Sequence, residues 1–172
     1  VAETESLRIF QALGRVLAAE VVSTLDVPPA DNTAMDGYAL RVADAAAGVL
    51  PISQRVPAGS VPQPLQPGTA ARIFTGAPMP PGADCVVMQE LCEAVEGGVR
   101  IKAEPSPGQH IRRRGEDVQQ GATVLAAGHK LDAAALGLAA SVGAASLQVA
   151  ARPRVALFST GDELVMPSDN PQ

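Results

Sequence analysis

Residues 31–41 read DNTAMDGYALR, and the rest of the chain is organised around this stretch. Two prolines precede it and a short apolar run ends it. The pair Asp36-Gly37 is typical of a tight turn, because glycine tolerates a positive φ and aspartate bonds its own backbone. Two interpretations remain open. The stretch is either a loop before a strand, or it holds Asp36 as a fixed carboxylate at the mouth of a cleft, supported by the polar side chains of 31–33.

The composition restricts the class of protein. With 172 residues, of which 47% are hydrophobic, the chain can bury a substantial core. It has no Trp, one Tyr and three Phe, so the core is aliphatic and base-stacking surfaces are nearly excluded. The net charge of −5 argues against a nucleic-acid partner. No apolar run approaches the roughly 20 residues that span a bilayer, and no basic-then-apolar leader is present, so we expect no membrane partner and a cytoplasmic location.

The cysteines and histidines do not form a metal-binding pattern. Cys85 and Cys92 match no ligand spacing and are expected to be free thiols. His110 and His129 have no Cys or His neighbours at ligand spacing, so we assign no zinc site.

The pattern of apolar residues predicts helices and strands in separate parts of the chain. Residues 6–19 carry leucines and a phenylalanine at helical spacing, with Ser6 as a plausible N-cap. Residues 20–27 are expected to be extended. Further strands are predicted at 50–56, 70–75, 83–90, 98–103 and 109–113, with a hairpin turn at 96–98. Short strands between glycines and prolines favour a small barrel or sandwich.

After residue 121 the pattern changes again. It predicts strands at 122–125 and 146–150, with a helix at 133–142 between an Asp132 N-cap and a Gly143 stop. The predicted fold class is therefore α/β plus β, with a barrel-like β domain inserted into a first α/β region. The predicted division is 15–43 and 122–150 for domain I, 44–121 for domain II, and 1–14 and 151–172 for part of a third domain.

The segment 153–161, PRVALFSTG, is a continuous apolar run that ends in small polar residues. This pattern is typical of a buried parallel strand that delivers a loop at its carboxyl end, where open α/β sheets bind ligands. A parallel strand needs a crossover and a partner strand. We therefore expect the sequence to be the N-terminal part of a longer protein.

Three other motifs could carry chemistry, and each has a purely structural alternative. The turn 74–78, FTGAP, could hold an oxyanion with a hydroxyl and backbone amides, or it could simply end a strand. The run 112–117, RRRGED, could capture phosphate through arginine forks, or it could be a solvated charged face. Asp162 and Glu163 could hold Mg²⁺, or they could be acids favoured at a helix N-terminus.

Taken together, the motifs resemble those of the molybdopterin molybdenumtransferases, the MoeA family, which includes the E domain of gephyrin. Five blocks carry the resemblance in the family's order, and the resemblance extends over essentially the whole chain. They are ALGRVLA (12–18), DVPPADNTAMDGYALR (26–41), IFTGAPMPPGAD (73–84), RRRGEDV (112–118) and RVALFSTGDEL (154–164). Thr33 stands where Ser is commoner in the family.

The resemblance implies an activity and a set of site residues. Enzymes of this family insert molybdate into adenylylated molybdopterin with the help of Mg²⁺, giving molybdenum cofactor and AMP. By resemblance, the catalytic residues are Asp36, Thr75, Asp117 and Glu163; the cofactor-binding residues are Arg112, Arg113, Arg114 and Gly76; the metal ligands are Asp162 and Glu163. Anionic substrates suit Mg²⁺ and arginine, and carboxylates can orient a metal and manage protons.

The resemblance also implies partners. The family's enzymes are homodimers with the site between subunits, and a molybdopterin adenylyltransferase is the expected upstream partner. This chain has no positions for most of the pterin-binding domain, so we expect the 172-residue polypeptide alone to be inactive. The alternative is a scaffold or receptor-anchoring module of the gephyrin type. Ligand binding that weakens in Asp36→Asn would favour the enzyme, and dimerisation without ligand binding would favour the module.

Overall fold

The computed structural model describes residues 3–161 and residue 165, and this part of the chain is mostly strand. In chain order the strands are β1 (Thr4–Arg8), β2 (Val21–Val22), β3 (Asn32–Thr33), β4 (Gly37–Leu40), β5 (Val49–Leu50), β6 (Ile52–Val56), β7 (Ala70–Ile73), β8 (Cys85–Met88), β9 (Cys92–Val95), β10 (Gly98–Ile101), β11 (Ile111–Arg112), β12 (Thr123–Leu125) and β13 (Ser146–Ala150). Helix α1 spans Ala133–Ser141, and 3₁₀ turns lie at Ile9–Gln11, Val42–Asp44 and Gln89–Leu91.

A four-stranded sheet in the order β6-β7-β4-β8 carries the stretch that the sequence singles out. Strand β4 runs antiparallel to β7 and β8, and β6 runs parallel to β7. All four residues of β4 are buried, because apolar clusters cover both faces of the sheet. This double burial explains why the strand is apolar throughout instead of alternating with polar residues.

A three-stranded sheet in the order β5-β10-β9 packs on one face of the larger sheet. Its residues Leu50 and Val99 meet Leu40 and Val87 in a shared core. The described strands form open sheets and close into no barrel, so the expected barrel-like domain is not found. The turn at 96–98 does join β9 to β10 as predicted. The predicted domain boundaries stay a prediction. Strand β4, which precedes the boundary at residue 44, lies between β7 and β8 in the four-stranded sheet.

A second core forms where β1 pairs with β13, β2 pairs with β12 and α1 packs nearby. The helix begins as predicted, because the Asp132 carboxylate accepts a hydrogen bond from the amide of Ala135 at 2.7 Å. It stops before Gly143, whose φ of +89° glycine adopts without strain. In the part of the chain that the structure describes, no helix has the length and apolar character needed to cross a membrane.

The helix expected over 6–19 is wrong. Residues Thr4–Arg8 form β1, which pairs antiparallel with β13 near the other end of the chain. The apolar residues that suggested a helical face include Phe10 and Leu13, which are 94% and 60% exposed. The long-range strand pairing prevails over the local spacing, and Ser6 is a strand residue instead of a helix cap. With α1 as the one α-helix of the described residues, the α/β expectation becomes a mostly β fold.

The buried parallel strand expected over 153–161 is also wrong for this chain. Residues 151–161 form no strand, and Leu157 and Phe158 are 94% and 83% exposed. A strand needs a neighbour to satisfy its backbone groups, and no described strand pairs with this segment. Asp162 and Glu163, predicted to follow it, lie outside the described residues.

Candidate active site

Asp36 and Thr75 meet at one end of the four-stranded sheet. Asp36 directly precedes β4 and Thr75 follows shortly after β7, and these antiparallel strands pair Gly37 with Ile73. Both the amide and the hydroxyl of Thr75 donate to Oδ1 of Asp36, at 2.7 and 2.8 Å. The strand register therefore assembles a carboxylate–hydroxyl pair from residues 39 positions apart.

The environment of Asp36 keeps its carboxylate charged. The amide of Thr75 lowers the pKa of Asp36 most, its hydroxyl lowers it further, and nearby Arg72 adds a smaller attraction. At neutral pH the group is an anion that accepts hydrogen bonds or binds a cation. Its Oδ2 atom has no hydrogen-bond partner among the described residues, so this oxygen is the one available to a ligand.

The backbone turns a corner at Asp36, and this corner requires a glycine at position 37. A Cβ at this position would overlap the carbonyl oxygen of Val87 on the neighbouring strand. The amide of Gln89 also donates to the carbonyl oxygen of Asp36, at 3.1 Å. The Asp-Gly pair, which the sequence suggested as a turn, is thus a corner where two backbones approach closely.

The turn after β7 does not offer the open amides that an oxyanion cradle requires. The amide of Thr75 donates to Asp36, that of Gly76 to the carbonyl of Thr33 at 2.9 Å, and that of Ala77 to the carbonyl of Phe74 at 2.8 Å. These contacts do not support the interpretation of the turn as an anion site. They favour a role in which the turn positions the hydroxyl of Thr75.

The polar residues before Asp36 support it through the backbone. The Thr33 hydroxyl donates to the carbonyl of Met35 at 2.7 Å and accepts from its amide at 3.1 Å, which closes the turn that leads to Asp36. The Asn32 side-chain oxygen is buried, and none of the described residues donates a hydrogen bond to it. None of the side chains at 31–33 makes a hydrogen bond to Asp36, so any support from them is indirect, as in the turn that Thr33 closes.

The three consecutive arginines are held in ion pairs. One nitrogen of Arg112 donates to both carboxylate oxygens of Asp117 at 2.6 Å. Arg113 pairs with Asp31 and Arg114 pairs with Asp26, each at 2.6 Å. The run therefore clamps the loop at 112–117 onto the segment 26–31. An anionic ligand would have to displace these carboxylates to reach the arginines.

The ion pairs of the three arginines with Asp117, Asp31 and Asp26 form a clamp, and contacts within it shift the pKa values of three of its members. The amide of Gln120 and then the side chain of Arg114 lower the pKa of Asp26. The amide of Arg114 lowers the pKa of Asp31 most. The hydrogen bond that Arg112 donates to the carboxylate of Asp117 raises the pKa of Arg112. These contacts therefore favour the charged forms of Asp26, Asp31 and Arg112.

Strand β3 connects the clamp to the pair formed by Asp36 and Thr75. Arg112 pairs with Asn32 in the β3–β11 ladder, and Thr33 of the same strand bonds the turn of residues 75–77 on its other side. The structure thus brings Asp36 into contact with Thr75 and Arg112 with Asp117, and one strand links the two pairs. Asp162 and Glu163 lie outside the described residues.

Sequence reasoning missed Arg72, which lies beside Asp36. Its guanidinium donates to the carbonyl of Gly37 at 2.8 Å and to the side chain of Gln89 at 2.5 Å. It also lies 4.5 Å from the ring centre of Phe74 and 5.2 Å from that of Tyr38. The signal was an arginine inside an otherwise apolar strand.

The cysteines lie apart from this chemistry. Both thiols are free, and burial raises the pKa of Cys85 to about 12 and that of Cys92 to about 11. Within 3–161 and residue 165, no three His, Cys, Asp or Glu side chains are grouped so that they could share a metal ion.

Comparisons with known proteins point to one family. Residues 1–143 match the family described as the MoeA N-terminal region, domains I and II. The chain is 46% identical over 166 residues to molybdopterin molybdenumtransferase 2 of Mycobacterium tuberculosis, covering 92% of this chain and 41% of that protein. It is 46% identical over 170 residues to the molybdopterin molybdenumtransferase of a Nostoc species, covering 95% of this chain and 39% of that protein.

A solved structure agrees with the sequence relatives. The molybdopterin biosynthesis MoeA protein of Pyrococcus horikoshii superposes with a TM-score of 0.88 at 34% identity, covering 98% of this chain and 45% of that one. The chain thus spans about two fifths of the length of the curated relatives that it matches.

Proposed function

Because the chain belongs to the MoeA family, as its N-terminal portion, we propose that the complete protein inserts molybdate into adenylylated molybdopterin, giving molybdenum cofactor and AMP. Its relatives carry the name molybdopterin molybdenumtransferase, which supports a role in molybdenum cofactor biosynthesis. The observation that supports the reaction most is the charged carboxylate of Asp36, fixed by two hydrogen bonds from Thr75 at one end of the four-stranded sheet.

In this proposal Asp36 contributes its free Oδ2 atom to a Mg²⁺ ion. Mg²⁺ binds through one or two carboxylates and keeps several waters or substrate phosphate oxygens, so a single protein oxygen here suits it. When bound, Mg²⁺ would offset negative charge on the phosphate of the substrate. Asp162 and Glu163 are proposed as further ligands or acids, and their placement lies outside the described residues.

Thr75 is proposed to act through Asp36. Its amide and hydroxyl both point at Oδ1, so they hold that oxygen and leave Oδ2 directed elsewhere. Gly76 contributes by bonding Thr33 at 2.9 Å, which fixes the turn that carries Thr75. The hydroxyl oxygen of Thr75 can still accept a hydrogen bond from a ligand.

For Arg112, Arg113, Arg114 and Asp117 the proposed role is indirect. The ion pair between Arg112 and Asp117, and the pairs of Arg113 and Arg114 with carboxylates of the segment 26–31, hold the loop beside β3. Direct binding of the pterin phosphates by these arginines would require those pairs to open. The cofactor-binding role given to these arginines, and the catalytic role given to Asp117, stay predictions.

We also propose that the complete protein is a cytoplasmic homodimer that receives its substrate from a molybdopterin adenylyltransferase. An apolar groove lined by Phe10, Leu13 and Leu136, with Phe10 and Leu13 exposed, supports an interaction with another chain. The reactive substrate is an adenylylated intermediate, so an enzyme that forms it must act beforehand.

The reaction is tested by incubating the complete protein with adenylylated molybdopterin, molybdate and Mg²⁺ and measuring AMP by chromatography. We expect AMP release that requires both molybdate and Mg²⁺, and no release by the 172-residue chain alone. AMP release by the short chain at the rate of the complete protein would contradict the proposed need for further domains. No release by the complete protein, with dimerisation retained, would favour the scaffold role.

A further inference from the structure

The arginines of this chain fall into two groups. One group forms ion pairs with carboxylates, and its members are Arg15, Arg41, Arg100, Arg112, Arg113 and Arg114. Arg55 and Arg72 belong to the other group, since the described residues place no carboxylate within ion-pair distance of either. The arginines that the sequence suggested for phosphate binding are thus neutralised, while two others beside Phe74 are not.

Arg55 and Arg72 lie side by side on one face of the four-stranded sheet. They are paired in the parallel ladder between β6 and β7, so their side chains project from the same face. The guanidinium carbons lie 4.7 and 4.5 Å from the ring centre of Phe74. Two positive charges therefore share one aromatic ring, and Phe74 directly precedes Thr75 of the candidate site.

The two arginines differ in what holds them. Arg72 donates to the carbonyls of Gly37 and Ile73 and to Gln89, which are all uncharged acceptors. These bonds account for its position but leave its charge without an anionic partner. The amide of Thr75 lowers the pKa of Asp36 most, and the positive charge of Arg72 lowers it further. Arg72 is therefore close enough to Asp36 to attract its negative charge.

Arg55 has no comparable structural role. It is exposed, and no hydrogen bond to its side chain occurs among the described residues. Its one recorded interaction is the stack on Phe74, which leaves the edge of the planar guanidinium, with its N–H donors, open to a ligand. A fork fixed by stacking, beside a second cation, is the arrangement that proteins use to bind oxyanions through two parallel hydrogen bonds.

We propose that Arg55 and Arg72, stacked on Phe74, form a binding site for a tetrahedral oxyanion beside Asp36 and Thr75. Molybdate and the phosphate groups of a nucleotide share the required chemistry of several negatively charged oxygens around one atom. The site itself follows from the contacts above. Its use for a substrate oxyanion rests on the proposed function.

The test is isothermal titration of the chain with sodium molybdate and, separately, with sodium pyrophosphate at low ionic strength. Low salt is needed because exposed charges are screened beyond about 10 Å at 0.1 M. We expect at least one of the two anions to bind, and the tighter one identifies the source of the oxyanion. Arg55→Gln should weaken this binding about tenfold or more, the usual loss for a charged hydrogen bond.

Two further variants make the result specific. Arg8→Gln removes the same charge from an exposed arginine on β1, outside the sheet that carries the site, and it should bind like the unchanged protein. Arg55→Lys keeps the charge but loses the planar fork, so its affinity should fall between those of the unchanged protein and Arg55→Gln. Because Arg55 is exposed, these variants are expected to fold, which circular dichroism checks.

The proposal is overturned if neither anion binds, or if Arg55→Gln and Arg8→Gln bind equally well. These outcomes do not depend on turnover. Binding that Arg55→Gln weakens, together with a complete protein that releases no AMP, would keep the oxyanion site and reject the proposed reaction. No anion binding by the unchanged chain, alongside normal AMP release by the complete protein, would reject the site and keep the reaction.

Discussion

Thr75 donates two hydrogen bonds to a single carboxylate oxygen of Asp36, from its amide at 2.7 Å and from its hydroxyl at 2.8 Å. The antiparallel register of β4 and β7 brings the two residues together, and Gly37 permits the close approach. The result is a carboxylate whose charge and direction are both fixed, with its second oxygen available to a ligand.

Replacing Thr75 with valine should raise the pKa of Asp36 without restoring it fully. Valine removes the hydroxyl donor but keeps the amide, which is the larger cause of the lowered pKa. The carboxyl carbon of Asp36, followed by NMR against pH, measures the effect. Thr75→Ser keeps the hydroxyl and is the matched control, so equal pKa values in the valine and serine variants would contradict the account.

Replacing Gly37 with alanine should destabilise the fold by at least about 3 kcal/mol, because the new methyl group would overlap the carbonyl of Val87 and a packed sheet cannot relax easily. Gly137 is the matched control, since it lies exposed within α1 with open space around it. Gly137→Ala should stabilise by about 0.5–1 kcal/mol through helix propensity. Urea unfolding measures the free energy of unfolding of both variants. If it rose in both or fell in both, the result would contradict the close approach at Gly37.

Acid should unfold the protein through its lowered carboxyl pKa values. The pKa values of Asp26, Asp31, Asp36 and Asp44 all lie below the ordinary value of 3.8 in the folded state. As the pH falls through 3.8 the unfolded chain takes up protons that the folded chain resists, so the free energy of unfolding falls. Their contribution is complete above the unfolded-state pKa and disappears below the folded-state values.

Urea midpoints from about pH 5 to about pH 2 measure this loss. Asp31→Asn should make the dependence shallower, because it removes one group that binds fewer protons in the folded state. A midpoint that stays constant or rises as the pH falls would contradict the lowered pKa values.

Replacing Arg113 with glutamine should cost little stability and no anion affinity. Its ion pair with Asp31 joins side chains that are 60% and 38% exposed, and such pairs contribute at most about 1 kcal/mol. Unfolding in urea and titration with molybdate or pyrophosphate measure the two quantities. A loss of anion binding equal to that of Arg55→Gln would show that the arginine run, instead of the stacked pair, carries the anion.

The sequence allowed the parts of the site to be predicted better than their contacts. The sequence singles out both Asp36 and Thr75, and the strand predicted over 70–75 corresponds to β7, Ala70–Ile73. Their contact depends on the register that pairs Gly37 with Ile73, which no local pattern specifies. The ion pair between Arg114 and Asp26 is not predictable for the same reason, because the two residues lie 88 positions apart in the sequence.

The errors have a common physical cause. Residues 6–19 have helical spacing, yet Thr4–Arg8 gains more from pairing with Ser146–Ala150 at the far end of the chain. Arg55 and Arg72 were overlooked because their proximity follows from a parallel ladder between neighbouring strands. Helix α1 was predicted well, since its Asp132 cap and Gly143 stop are local signals.

The most direct test of the account is the rate of molybdate-dependent AMP release by the complete protein carrying Asp36→Asn. Asparagine keeps the shape of the side chain but removes the charge, so we predict a fall of about 10²-fold or more. The unfolding midpoint at neutral pH should fall slightly, and by no more than in Asp44→Asn, because both variants lose a carboxylate with a lowered pKa. Asp44→Asn is the control, because Asp44 also has a lowered pKa but pairs with Arg41 away from Thr75. Near-normal release by the Asp44 variant with loss in the Asp36 variant supports the site, and equal release by both would contradict it.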